Sequence, residues 1–179
     1  MQLEHTSLDR AGAAAVVGIT EPQIANWITK YGLFPEKRQG RGAHFYFLIW
    51  DVVALAAIKA LLDTGFAAPA AVEAIRPYSP YAALFDGYAA GPNAYPGIFR
   101  LAQNHEGRWV GFDGDDVKVS LQIRMWPIFD EIFPRFCEQV VDYAKAVPPE
   151  VMRQAIDQYR AEMEDLRNKQ SGKNPSVDI

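Results

Sequence analysis

Apolar positions recur along the first third of the chain at the spacing of short helices. In "GITEPQIANWITKYG" (18–32), Ile24, Trp27, Ile28 and Tyr31 keep a 3,4 rhythm, which gathers them on one side of a helix and leaves Gln23, Asn26 and Lys30 on the other. Thr20 is the N-cap, Glu21 suits the positive helix end, and Pro22 is tolerated in the first turn because its missing N–H has no helical partner there; Gly32 closes the element. Upstream, Thr6 with Asp9 three residues on predicts a capping box that opens "SLDRAGAAAVV", with Gly18 as the turn. Downstream, "DVVALAAIKALLDTG" predicts a strongly apolar helix from Asp51 to Gly65, and "APAAVEAIRPY" a further short one to about Arg76.

Beyond a segment rich in Pro, Gly, Ala and Tyr at 77–97, the period changes. "VKVSLQIR" (117–124) alternates Val117, Val119, Leu121 and Ile123 with polar residues, the pattern of a half-buried strand, and "IFRLAQ" and "RWVGF" before it complete a predicted three-stranded meander. Two helices follow, 127–146 with Ile128, Ile132, Phe136, Val140 and Tyr143 on a broad apolar face, and 149–169. In the last, Met152, Ile156, Tyr159, Met163 and Leu166 are spaced 4,3,4,3 with the charges of "AEMEDLRNK" beside them, a heptad seam that predicts dimerisation through a short coiled coil. The expected class is α+β: a mainly helical unit at 1–76, a linker at 77–97, a small antiparallel sheet with two helices at 98–170 for dimerisation or effector binding, and a flexible tail at 171–179.

Composition fits a globular chain, since 179 residues at 49% hydrophobic content can bury a real core. The net charge of -4 argues against a nucleic-acid partner only until it is located: residues 1–77 hold 7 basic and 7 acidic side chains, and the whole deficit lies beyond them. Within 30–44 stand Lys30, Lys37, Arg38 and Arg41 against Glu36 alone, in "LFPEKRQGRGAHFYF", a Gly-punctuated stretch that reads as a β-wing. Two short helices joined by a Gly turn, with amides exposed on the second and a basic wing after it, form a winged helix-turn-helix. Gln23 and Asn26 are then the base readers, because an amide pairs bidentately with adenine in the major groove. Lys30, Lys37, Arg38 and Arg41 are phosphate contacts, which need only charge and reach. Thr20, Trp27, His44 and Tyr46 complete the candidate surface.

Other chemistries find little support. His44, His105 and Cys137 lack ligand spacing, so no metal or other cofactor is expected. "DGDD" reads as a hairpin turn rather than a calcium loop, and the adjacent carboxylates Asp130 and Glu131 point about 100° apart on a helix. Tyr78, Tyr81, Tyr88 and Tyr95 either line an effector pocket or pack the linker. No catalytic motif is present, so an enzyme is not expected. No long uncharged apolar run and no basic-then-apolar start occur, and the single cysteine suits a reducing compartment, so a cytoplasmic protein without a membrane partner is expected.

These residues resemble the DNA-binding domain of the MerR family of bacterial regulators over about 7–76. The resemblance is carried by "GITEPQIANWITKYGLFPEKR", the Gly-rich wing, and "DVVALAAIKALLDTGF" with "AAVEAI"; its most specific parts are Tyr31-Gly32-Leu33-Phe34-Pro35 with Arg38, and Leu61-Leu62-Asp63-Thr64-Gly65-Phe66. Where family members usually carry Arg-Tyr-Tyr-Glu, this chain has Ala25-Asn26-Trp27-Ile28. The resemblance implies a winged helix-turn-helix regulator on double-stranded DNA, bound to a palindromic site as a homodimer, with RNA polymerase or a small-molecule effector as candidate further partners. Two other readings stay open: an excisionase-like or architectural DNA-binding factor, and a protein-interaction adaptor that has lost DNA binding.

Overall fold

A computed structural model describes residues 6–35, 45–76, 98–111, 120–143 and 147–171. The first helix, α1 (Arg10–Val17), is capped by Asp9, whose Oδ1 accepts the Gly12 N–H at 2.8 Å. Thr6 is not the cap, because Ser7–Leu8 are extended as β1 and pair antiparallel with β2 (Phe47–Leu48), Leu8 opposite Phe47. At Gly18 the backbone turns left-handed (φ 74°), and the Gly18 and Ile19 N–H groups both donate to the Ala14 carbonyl, at 2.9 and 3.1 Å. This ends α1 and starts the approach to α2 (Glu21–Tyr31).

After α2, Gly32 is again left-handed (φ 74°), the Leu33 N–H donates to the Trp27 carbonyl at 3.0 Å, and Leu33 is buried. Phe34, also left-handed (φ 50°), sets its ring edge-on to Phe47 at 6.2 Å and so holds the chain leaving α2 against β2. The strand on the return side of the predicted wing pairs with the N-terminal β1. Residues 36–44, with Lys37, Arg38, Arg41 and His44, lie outside the described residues, as do 77–97, the "DGDD" segment and 172–179. Helix α3 (Ile49–Asp63) begins two residues before Asp51, whose carboxylate reaches back to accept the Leu48 N–H at 2.7 Å. A short α4 (Ala68–Ile75) follows.

The second half supplies β3 (Ile98–Gln103), β4 (Trp109–Gly111), β5 (Ser120–Arg124), α5 (Met125–Tyr143) and α6 (Pro149–Ser171). Strand β3 runs between β4 and β5 and is antiparallel to both, so the strands do not take the sequential order of the expected meander. This central strand carries the fully buried Leu101 and the buried Ala102.

The N-terminal and C-terminal segments share one hydrophobic core, which contains Ile24, Trp27, Leu55 and Ile58 together with Ile132, Phe136 and Val140. Helix α5 docks across α1 and α3: Phe129 stacks on Trp50 with centroids 5.6 Å apart, and an Arg135 Nη1 donates to the Val16 carbonyl at 3.4 Å. Strand β4 meets α4, with Trp109 against Phe66 at 5.1 Å and Arg108 on Glu73 at 3.2 Å.

The predicted dimer seam is covered within the chain. Met152, Ile156, Tyr159 and Met163 are buried and Leu166 is half-buried, against α5, where Phe133 stacks on Tyr159 at 5.7 Å and Arg167 pairs with Asp130 at 2.5 Å. Heptad spacing marks one apolar stripe on a helix, and here α5 satisfies it. The outward side of α6 is polar, with Val151 its one exposed large apolar residue among those described. None of the described helices is long and apolar enough to cross a membrane.

Cys137 belongs to the same core, and burial pushes its thiol up to about 12 from an ordinary 9.0. The thiol stays protonated and shielded in the folded chain. Alkylation of Cys137 at pH 8 is expected to be at least about tenfold slower in the native protein than in urea, read by mass spectrometry, since the thiolate is the nucleophile. The sign of the linked effect is also fixed: between about 9 and about 12 the folded chain holds a proton that the unfolded chain releases, so stability falls as pH rises through that window.

Candidate nucleic-acid interface

Helix α2 is built to show one side. Ile24, Trp27 and Ile28 are at most 2% exposed and tie it to the core, while Gln23, Asn26, Thr29 and Lys30 face solvent. Asn26 and Lys30 stand one helical turn apart, about 6 Å along the axis, so an amide and an ammonium share one strip. Lys30 Nζ lies 5.4 Å from the Tyr31 ring centroid, which steadies the ammonium without neutralising it.

Thr20 and Gln23 are placed differently from Asn26. Thr20 caps α2, and the pair forms a reciprocal box: the Gln23 N–H donates to Thr20 Oγ1 at 3.3 Å, and Gln23 Oε1 accepts from the Thr20 N–H at 2.8 Å and from its hydroxyl at 3.0 Å. A bidentate contact to adenine needs both the amide oxygen and the amide nitrogen, so Gln23 reads a base that way only by releasing the box. Its side-chain NH₂ remains exposed. Thr20→Ala is expected to lower stability by about 0.5–2 kcal/mol, measured by urea unfolding, as for other N-caps.

Trp27 is a correction to the candidate surface. At 2% exposed it packs beneath α2 and has no face to offer a duplex, because an indole at 3,4 spacing with Ile24 and Ile28 belongs to the buried stripe. Tyr46 is the opposite case, 59% exposed at the foot of β2. Lys37, Arg38, Arg41 and His44 are outside the described residues, so the structure brings together Thr20, Gln23, Asn26 and Lys30 on α2 and sets Tyr46 beside β2.

One cation escaped sequence reasoning. Arg10, the first residue of α1, holds its guanidinium 5.3 Å from the Phe45 centroid and has no acidic partner among the described residues; its Nε is buried without a hydrogen-bond acceptor. Extending the β1–β2 register by two residues brings position 10 opposite position 45, at the root of the predicted wing. The signal was long-range pairing, which no local window contains. Among the described residues no three His, Cys, Asp or Glu side chains gather as a metal site.

No curated protein matches the chain. The helix-turn-helix unit itself is placed by a family model: residues 11–76, well under half the chain, match that of the MerR HTH family regulatory proteins, and this N-terminal segment is MerR-like.

Proposed function

We propose that the chain is a sequence-specific DNA-binding transcription regulator. The observation that carries this is the exposed strip of α2, Asn26 and Lys30 without acidic partners among the described residues, inside a segment matching the MerR HTH family. Asn26 reads a base edge in the major groove, Lys30 holds a phosphate, and the wing cations Lys37, Arg38 and Arg41 neutralise phosphates beside them. One copy sits on each half of a palindromic site. The contact between copies lies elsewhere than on the 152–166 stripe, which α5 covers.

The test is selection of bound fragments from a random DNA pool by the full-length chain at moderate salt. An inverted repeat is expected. On the selected site, Asn26→Ala should weaken binding by about 1–3 kcal/mol and relax preference at one base pair per half-site. Lys30→Ala should weaken all sequences alike and flatten the log–log salt slope by about 0.9 per subunit. Retention of no DNA at low ionic strength would end this reading.

A further inference from the structure

Between α5 and α6 lies a half-open cleft of about 160 Å³. Its floor is apolar: Phe129, Phe133 and Met163 line it and are 4%, 4% and 7% exposed. Phe129 and Phe133 stack nearly parallel, with centroids 5.1 Å apart and planes at 15°, and Met163 adds a polarisable thioether. A cavity of this order takes a single benzene ring.

The rim decides what such a ring would carry. Asp130, Arg160, Glu164 and Arg167 line the cleft, so its charges sum to zero, and neither a simple cation nor a simple anion matches the whole rim. Arg167 and Asp130 are already matched to each other at 2.5 Å, and Arg167 also covers the Trp126 ring at 4.5 Å. Arg160 and Glu164 are not so engaged. Arg160 touches the exposed Asp157 at only 3.5 Å and lies over the Phe133 ring at 5.9 Å, so its cation–π contact is with the cleft floor itself, and Glu164 has no ion pair or hydrogen bond among the described residues. They stand one turn apart on α6 and both line the cleft, a guanidinium and a carboxylate about 5–6 Å apart at their β-carbons. Opposite them, Pro134 has no N–H for the Asp130 carbonyl, which leaves that helical acceptor without its usual donor.

We infer that this cleft binds a zwitterion carrying one aromatic ring, the chemical class of the free aromatic α-amino acids. The ring lies against Phe129, Phe133 and Met163, the carboxylate takes the Arg160 guanidinium, and the ammonium takes the Glu164 carboxylate. Charge-assisted hydrogen bonds of opposite sign at the two ends supply the selectivity; because Phe129 also stacks on Trp50 and Phe133 on Tyr159, the apolar contact comes from the edges of these rings and the Met163 thioether. The site stands apart from the α2 strip, and its occupancy is read without DNA.

The experiment is calorimetric titration of the full-length chain with L-phenylalanine, 2-phenylethylammonium, 3-phenylpropionate and L-alanine, with the Met163 methyl resonance followed by NMR. Saturable phenylalanine binding that moves Met163 is expected, with either single-charge analogue about tenfold weaker or worse and alanine silent. Arg160→Gln should weaken phenylalanine about tenfold and leave 2-phenylethylammonium unchanged; Glu164→Gln should weaken phenylalanine equally and leave 3-phenylpropionate unchanged. Both side chains are exposed, so the fold is retained, and thermal unfolding verifies it. The inference is overturned by no saturation up to about 10 mM, a range set by ordinary weak-ligand affinities. It is equally overturned by a single-charge analogue binding as tightly as phenylalanine, or by variants that change nothing.

Discussion

Trp27→Ala is expected to lower folding stability by about 3–5 kcal/mol, the ordinary cost of truncating a buried Trp or Phe. For a domain whose whole stability is about 5–15 kcal/mol, that leaves much of the chain unfolded near 37 °C. The expectation rests on burial: Trp27 is 2% exposed and its ring packs in the core beneath α2. Urea unfolding followed by far-UV circular dichroism measures the loss, and Trp27→Phe should recover most of it. DNA retention should fall only in proportion to the folded fraction. A Trp27→Ala variant that kept native stability and lost only affinity would place the indole at the duplex and contradict the packing described above.

A chain ended at residue 76 is expected not to fold cooperatively. The resemblance to a self-contained DNA-binding unit suggests such a fragment, yet α5 covers α1 and α3, with Phe129 on Trp50 and Arg135 at the end of α1. Trp109 covers Phe66 beside α4 in the same way. Removing that cover returns a handful of large apolar side chains to water at about 1.5–3 kcal/mol each, comparable to the entire stability of a typical domain. The measurement is thermal unfolding and amide dispersion in NMR of the fragment beside the full chain. A sharp transition in the fragment near that of the full chain would show the shared core to be dispensable.

What the sequence disclosed was local. The start of α2 was legible because Thr20, Glu21 and Pro22 act within one turn, and its two sides were legible because 3,4 spacing fixes which residues share a face. The same rule identified the stripe from Met152 to Leu166 but not its partner: spacing says that a face must be covered, and either a second copy or another helix of the same chain satisfies it. The structure supplies α5. Asp9 displaced Thr6 as the cap of α1 for a similar reason, since β1 forms only because Phe47 and Leu48 return to it from far along the chain. The central place of β3 was hidden because alternation marks a strand and not its neighbours. At the level of the single side chain, the capping box that engages the Gln23 amide oxygen lay within one turn, and the Trp27 indole follows the apolar side that its 3,4 spacing marked rather than the candidate surface. Arg10 was overlooked because its place at the wing root depends on the same distant pairing.

The docking of α5 on α1 and α3 also sets an order of events during synthesis. The segment that resembles a DNA-binding unit leaves the ribosome first, with the apolar backs of its helices uncovered until the stretch around Phe136 and Val140 has emerged. Translation at about 5–20 residues per second makes that interval several seconds long. The nascent chain is therefore a natural client for chaperones that hold apolar surface, and competence to recognise anything arrives only when the second half does.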